Sequence, residues 1–139
     1  MRRTSRENAF KLIFEKFVSG GTGEISYAVL VRSMTEDERD YFDVLVREIE
    51  IKKDFLTSVI GRYAHGYEID RVYKIDLSIL LISVYEILFG DDVPVKVAIN
   101  EALEMSKKYS TDNSPTFING ILASVVRDKE ELKNEYENN

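Results

Sequence analysis

Residues 75–89 read IDLSILLISVYEILF and are followed by Gly90. On a helical wheel their apolar side chains occupy every side rather than one stripe, which is typical of a helix that is buried all round. The run is shorter than the roughly 20 apolar residues needed to cross a bilayer, and Asp76 and Glu86 interrupt it. The stretch therefore predicts the central helix of a soluble protein, with the other segments packed around it.

The composition indicates one globular domain over residues 1–139. Of the 139 residues 44% are hydrophobic and only two are proline, which favours helices over a turn-rich sheet protein. The absence of cysteine excludes disulfides, iron–sulfur clusters and thiolate zinc sites. The N-terminal charges are not followed by an apolar region, and no other segment is long enough to cross a membrane. We therefore expect a soluble cytoplasmic protein.

Two capping boxes mark helix starts in the first half of the chain. Thr4 with Glu7 predicts a helix that begins near Ser5, and Thr35 with Glu38 predicts a second start. The apolar pattern that follows Thr35 is long for one globular helix. We therefore expect a bend near residues 52–54 that divides it into two helices.

Glycine, proline and charge delimit the helices of the second half. Gly90 stands at the C-cap of the central helix, where a left-handed backbone favours glycine. Pro94 lies in the first turn of the next helix, and Ser114–Pro115 opens the last one as N-cap and N1. Residues 130–139 are charged and are expected to fray. No segment alternates as a strand does, so the predicted fold class is all-α with about seven helices.

The N-terminal segment is basic although the whole chain has a net charge of −6. Its first sixteen residues contain only two carboxylates against a larger set of cations, Arg2, Arg3, Arg6, Lys11 and Lys16. The arginines would oppose the positive end of a helix dipole. Such a basic end can bind an anion locally, or it can be an ordinary solvated helix start. The residues alone leave both interpretations open.

The residue types that usually catalyse reactions or bind metals are sparse. His65 is the single histidine, so it builds no histidine-rich metal site, and no serine or cysteine motif makes it a catalytic base. A helical di-iron centre needs paired E-x-x-H motifs, which are absent. We expect no cofactor, no metal and no enzymatic activity. Glu86 should have a structural partner, such as a neighbouring helix end or an arginine, whereas Phe117 suits either base stacking or the core.

Three stretches, taken in order, form a recognisable pattern. The first contains Arg2, Arg3 and Arg6 and continues as AFKLIF at 9–14. The second is VYEIL at 84–88, which leads without a gap to DVPVKVAINEA at 92–102, and the third is FINGIL at 117–122. This pattern resembles the bacterial NusB family of transcription antitermination and termination factors. The resemblance covers nearly the whole chain and is weakest from about residue 20 to residue 73.

The resemblance implies a fold and a function. The fold is all-helical, with two three-helix bundles and an extra helix, and it has no enzyme activity. Members pair with NusE, a small-subunit ribosomal protein, and the pair binds boxA, a short single-stranded RNA element in nascent ribosomal RNA leaders. The bound pair helps RNA polymerase to read through terminators. Where NusE would dock, and whether the chain is a monomer or a homodimer, stay open.

The resemblance also implies a set of RNA-binding residues. Arg2, Arg3 and Arg6 match the arginine-rich N-terminal motif, and Phe14 stands where many members have a tyrosine. The remaining matches are Asp76, a functional acidic position, and Asn113 with Phe117 at the start of the last helix. The sequence departs from the family at a few positions. Phe14 lacks the tyrosine hydroxyl, and Ala123 replaces an aspartate. Leu81 and Pro115-Thr116 stand in place of basic residues.

Two alternatives stay open, and the first of them is favoured by these departures and by the net charge. The chain can be a protein-interaction module that binds NusE and has little affinity for RNA of its own. It can also be related to the NusB-like domains at the front of ribosomal RNA cytosine methyltransferases. The latter enzymes need a following domain that binds the methyl donor, which this sequence does not contain.

Overall fold

A computed structural model describes residues 2–66 and 68–138 and contains seven α-helices in that range. The helices are α1 (Arg2–Ser19), α2 (Glu24–Val31), α3 (Glu36–Tyr63), α4 (Lys74–Phe89), α5 (Val95–Tyr109), α6 (Ser114–Arg127) and α7 (Lys129–Glu137), with one 3₁₀ turn at Ile69–Arg71. The described residues form no β-strand. The predicted all-α fold class is confirmed. None of the described helices is both long and apolar enough to cross a membrane.

The helices form two groups of three, and α7 is the extra helix. In the first group α1 packs against α2 and α3, and the Tyr27 hydroxyl of α2 donates to Asp43 Oδ1 of α3 at 2.7 Å. In the second group α4, α5 and α6 pack against one another, and α7 packs against α4 and α6. This arrangement agrees with the expected two three-helix bundles.

α4 lies at the centre of the protein. All residues from Asp76 to Leu88 are buried, and helices of both groups, together with α7, pack against α4. The helix is enclosed because its apolar side chains point in every direction, whereas its neighbours are apolar on one face. The prediction of a central helix from residues 75–89 is confirmed.

α3 continues without a break through the region where the sequence predicts a bend. It is a single helix of 28 residues whose N-terminus is closed by the predicted capping box of Thr35 and Glu38. Lys52 Nζ lies 2.7 Å from Glu48 Oε1 and 5.2 Å from the centroid of the Phe89 ring. Lys53 Nζ lies 4.9 Å from the Phe17 ring centroid. The predicted division into two helices is wrong, and both lysines lie against aromatic rings of neighbouring helices.

Two helix ends also differ from the prediction. α1 begins at Arg2 rather than near Ser5, and the Ser5 hydroxyl donates to the Glu38 carbonyl at 2.7 Å. Gly90 has φ −88°, so its backbone is not left-handed. Glycine is favoured there by close approach instead, since a Cβ at this position would lie 2.9 Å from the Glu86 carbonyl oxygen.

The C-terminal segment is a helix rather than a frayed tail. In α7 the side chain of Leu132 is fully buried. The Tyr136 ring lies with its centroid 5.0 Å from those of both Phe55 and Phe89, in edge-to-face orientation. Leu132 and Tyr136 are four residues apart and share one helix face. The charged composition of residues 130–138 concealed this face, and Asn139 lies outside the described residues.

Candidate nucleic-acid interface

The expected site residues fall into three regions, and two of the residues, Arg6 and Asp76, are buried. Phe14 lies by itself further along α1. Arg2, Arg3 and Arg6 are on the first turns of α1, beside the start of α5, and we call this region the arginine end. Asp76, Asn113 and Phe117 line a cleft of about 290 Å³ beside the start of α4, which we call the α4–α6 cleft.

Arg2 and Arg3 are held at the surface by carboxylates. Arg2 Nη2 lies 2.7 Å from Asp92 Oδ2, and its guanidinium carbon is 4.0 Å from the centroid of the Tyr41 ring. Arg3 donates from Nε and Nη2 to the two oxygens of Glu101 at 3.2 and 2.8 Å. These hydrogen bonds lower the pKa of the Asp92 and Glu101 carboxyls. The Arg3 side chain remains 68% exposed.

Arg6 is buried, unlike its two neighbours. Its side chain is 5% exposed, and its Nε donates to both oxygens of Glu86 at 3.0 and 2.9 Å. The Tyr41 hydroxyl donates to the same carboxylate, and Arg6 Nη1 lies 3.4 Å from Glu101 Oε1. Burial and the adjacent Glu86 raise the pKa of Tyr41, which keeps this hydroxyl protonated as a donor. The predicted arginine partner of Glu86 is therefore Arg6.

The central helix contains no arginine. Leu81, which stands in place of a basic residue of the family, is fully buried in α4. Arg6 supplies the guanidinium from α1 instead. The packing of α1 on α4 is thus fixed by an ion pair that joins residues 80 positions apart in sequence.

α1 and α5 lie side by side and run in the same direction. Arg3 pairs with Glu101, Glu7 accepts from Lys108 Nζ at 2.8 Å, and the Phe10 and Tyr109 ring centroids are 4.9 Å apart. A groove of about 360 Å³ lies between these helices, and Lys107 is among the residues that line it. The groove leads from the arginine end towards the α5–α6 loop.

Phe14 lies further along α1, away from the arginines. It is half-buried, and its ring stacks on Phe10 with a centroid distance of 6.2 Å. Eleven residues of helix separate it from Arg3, which corresponds to roughly 17 Å along the axis. Only a ligand that extends along α1 could therefore reach both Phe14 and the arginines.

Asp76 ties the α5–α6 loop to the central helix. The carboxylate is buried and accepts hydrogen bonds from the Ser110 hydroxyl at 2.6 Å and the Ser114 hydroxyl at 2.9 Å. Asp76 therefore lies in the first turn of α4 and also joins that helix to the α5–α6 loop. Asn113, in the loop that these bonds hold, is exposed, and Phe117 one turn into α6 is half-buried.

Tyr73 and Arg71 also line the α4–α6 cleft, and sequence reasoning missed both. The Tyr73 side chain is 63% exposed, and Arg71 is exposed at the end of the 3₁₀ turn. The available signal was an aromatic residue beside a cation immediately before the central helix. Within the described residues, no group of His, Cys, Asp and Glu side chains could hold a metal ion.

The fold and this surface define a small all-helical binding protein, with exposed guanidinium groups at one end and an aromatic cleft at another. The NusB family model matches residues 3–127. The chain belongs to the NusB family, a family of transcription antitermination proteins.

Relatives and solved structures agree with this assignment. The chain is 40% identical over 128 residues to the transcription antitermination protein NusB of Ruminiclostridium cellulolyticum, covering 91% of this chain and 88% of the relative. The NusB protein of Listeria monocytogenes is 38% identical, with 90% and 95% covered.

Among solved structures, T. maritima NusB superposes with a TM-score of 0.87 at 28% identity, covering 97% of each chain. A structure of the antitermination factors NusB and NusE in complex with dsRNA has the same fold, with a TM-score of 0.81 at 20% identity, covering 91% of this chain and 96% of that one.

Proposed function

We propose that this protein binds a boxA-type single-stranded RNA together with a NusE-type ribosomal protein. On nascent ribosomal RNA leaders the pair would modify elongation by RNA polymerase in the cytoplasm, without enzymatic chemistry. Support comes from the antitermination proteins that resemble this chain and from the shared fold of the NusB–NusE–dsRNA structure.

The observation that carries the proposal is the geometry of Arg3. Its exposed guanidinium holds the Glu101 carboxylate through two parallel hydrogen bonds, which is also the way in which arginine binds phosphate oxygens. Arg2, stacked on Tyr41, presents a second guanidinium beside it. We assign Arg2 and Arg3 to contacts with the RNA backbone.

The other expected residues take different roles in this proposal. Arg6 is buried and paired, so it positions the arginine end by fixing α1 on α4. Asp76 positions the α5–α6 loop through its two serine hydrogen bonds. Phe14, Asn113 and Phe117 are assigned to RNA contacts further along the strand, beyond the groove between α1 and α5.

The test is a titration of boxA-type RNA and of a scrambled RNA, with and without NusE. We expect the complex to prefer boxA, and the Arg2→Ala/Arg3→Ala variant to lose affinity. Arg47→Ala/Arg127→Ala removes two other exposed arginines and serves as the matched control for net charge. Equal affinity of the native and Arg2→Ala/Arg3→Ala complexes for boxA would remove the assigned RNA face.

The second candidate is a module that binds NusE and has little affinity for RNA. It is favoured by the net charge of −6 and by the carboxylates that already occupy Arg2 and Arg3. It predicts a stable complex with NusE that binds boxA and scrambled RNA equally weakly. The same titration separates it from the first candidate.

A further inference from the structure

We propose that Tyr73 stacks on one unpaired nucleobase of an RNA bound at the α4–α6 cleft. The inference rests on the proposed function and adds to it a specific ligand and a residue that the family pattern did not indicate. Its basis is the size of the cleft, the rigidity of its walls and the chemistry of its lining.

The cleft is the right size for a single flat ring. Its volume of about 290 Å³ is just below the roughly 300–1,000 Å³ of pockets that bind drug-sized ligands, as suits a smaller ligand. Two aromatic side chains line it, Tyr73 from the segment before α4 and Phe117 from the first turns of α6. Unpaired bases are commonly bound by stacking on such rings.

Hydrogen bonds within the protein hold the backbone on both sides of the cleft. The Tyr73 carbonyl accepts the Leu77 N–H at 2.9 Å, and Val72, the preceding residue, is buried. On the other side, Asp76 holds the loop through Ser110 and Ser114. A base that enters therefore orders little of the protein, which lowers the entropic cost of binding.

The exposure of Tyr73 has no explanation in the packing of the chain. Six large hydrophobic side chains are exposed among the described residues, and Tyr73 is the only aromatic one. Its ring lies at a cleft rather than on an open helix face. A stacked base would cover this ring, and stacking of this kind changes affinity by about five- to 150-fold on substitution by alanine.

The polar lining favours RNA over an apolar peptide side chain. Asn113 is exposed and offers both an amide donor and a carbonyl acceptor to the edge of a base. Arg71 adds a cation suited to the neighbouring phosphate. The one carboxylate in the lining, Asp76, is already engaged by two hydroxyls, which reduces its repulsion of an anion.

The cleft also continues the surface assigned to the RNA backbone. The groove between α1 and α5 ends near Lys107 and Lys108, and the α5–α6 loop that forms one wall of the cleft begins directly after α5. A strand held at the arginine end and laid along this groove would bring a later nucleotide to Tyr73.

The experiment compares Tyr73→Ala, Tyr73→Phe and Ile51→Ala in complex with NusE. Ile51 is 65% exposed on α3 and is the matched control for loss of an exposed hydrophobic side chain. With boxA-type RNA we expect Tyr73→Ala to lose about five- to 150-fold in affinity, whereas Tyr73→Phe and Ile51→Ala stay near the native value. Affinity for NusE without RNA should be unchanged in all three.

A scan with abasic RNA identifies the base itself. Removing the one base that occupies the cleft should weaken binding to the native complex and have little further effect on Tyr73→Ala, because the two changes remove the same contact.

Three results overturn the inference. The first is an RNA affinity of Tyr73→Ala within twofold of native while Arg2→Ala/Arg3→Ala loses binding. The second is a loss of RNA affinity in Tyr73→Ala that is explained by weaker binding of NusE. The third is an abasic scan in which no single base shows the expected loss in the native complex and its absence in Tyr73→Ala. If Arg2→Ala/Arg3→Ala also leaves binding unchanged, it is the proposed function that fails.

Discussion

Replacing Arg6 by methionine should destabilise the protein strongly. The change removes the guanidinium that donates to both oxygens of Glu86 and leaves a carboxylate that is 1% exposed with the Tyr41 hydroxyl as its remaining donor. Breaking a buried ion pair by removing one partner costs about 3–5 kcal/mol. For a chain of this size the loss lowers Tm by roughly 10–20 °C.

The assay is urea and thermal unfolding followed by circular dichroism at helical wavelengths. Arg3→Met is the matched control, since it removes the same group from the exposed side of the same helix and should change the unfolding midpoint little. Arg6→Met/Glu86→Leu should recover much of the lost free energy, because neither charge is left unpaired. The reasoning is refuted if Arg6→Met loses less than about 1 kcal/mol, or if the double variant is as unstable as the sum of its parts.

Three further predictions concern other parts of the structure. Asp92→Asn should free Arg2 and raise the affinity of the NusE-supplemented complex for boxA-type RNA by about two- to fivefold, measured by titration. The Arg3 hydrogen bonds lower the pKa of the Glu101 carboxyl. The ionised Glu101 carboxylate therefore stabilises the protein fully above the ordinary glutamate pKa near 4.5, and this stabilisation is lost as the pH falls through the lowered pKa of Glu101. The difference in urea midpoint between the native protein and Glu101→Gln should accordingly be constant from pH 7 to 5 and shrink towards pH 3. Leu132→Ala should cost about 2–5 kcal/mol in urea unfolding because α7 is packed, whereas Glu131→Ala, exposed on the same helix, should have little effect.

The all-α class and the central helix could be predicted from the sequence because the evidence for them is local. Apolar spacing and the capping box of Thr35 with Glu38 depend on residues within a few turns, and both reappear in the structure. The division into two helices expected near residues 52–54 does not occur, and the contacts made there are not local. Lys52 and Lys53 lie against aromatic rings from α4, α7 and α1, and no pattern within α3 shows that these rings are present.

The candidate site was harder to predict for the same reason. Arg2, Arg3 and Arg6 look equivalent along the chain, yet only Arg6 turns towards α4 and meets Glu86. Tyr73 was missed because the cleft that it lines is completed by residues about 40 positions later, from the α5–α6 loop and the start of α6. Sequence indicated which residue types gather at this surface, whereas the packing of helices distant in sequence decides which of them face solvent.

The most direct test of the account is the salt dependence of RNA binding by the complex with NusE. Each phosphate neutralised on single-stranded RNA contributes about −0.7 to the slope of log K against log salt. If Arg2 and Arg3 contact the backbone, Arg2→Ala/Arg3→Ala should weaken binding to boxA-type RNA and flatten the slope by about 1.4. The Arg47→Ala/Arg127→Ala control should keep the native slope. Parallel salt plots for the native and Arg2→Ala/Arg3→Ala complexes would contradict the assignment of the arginine end to RNA.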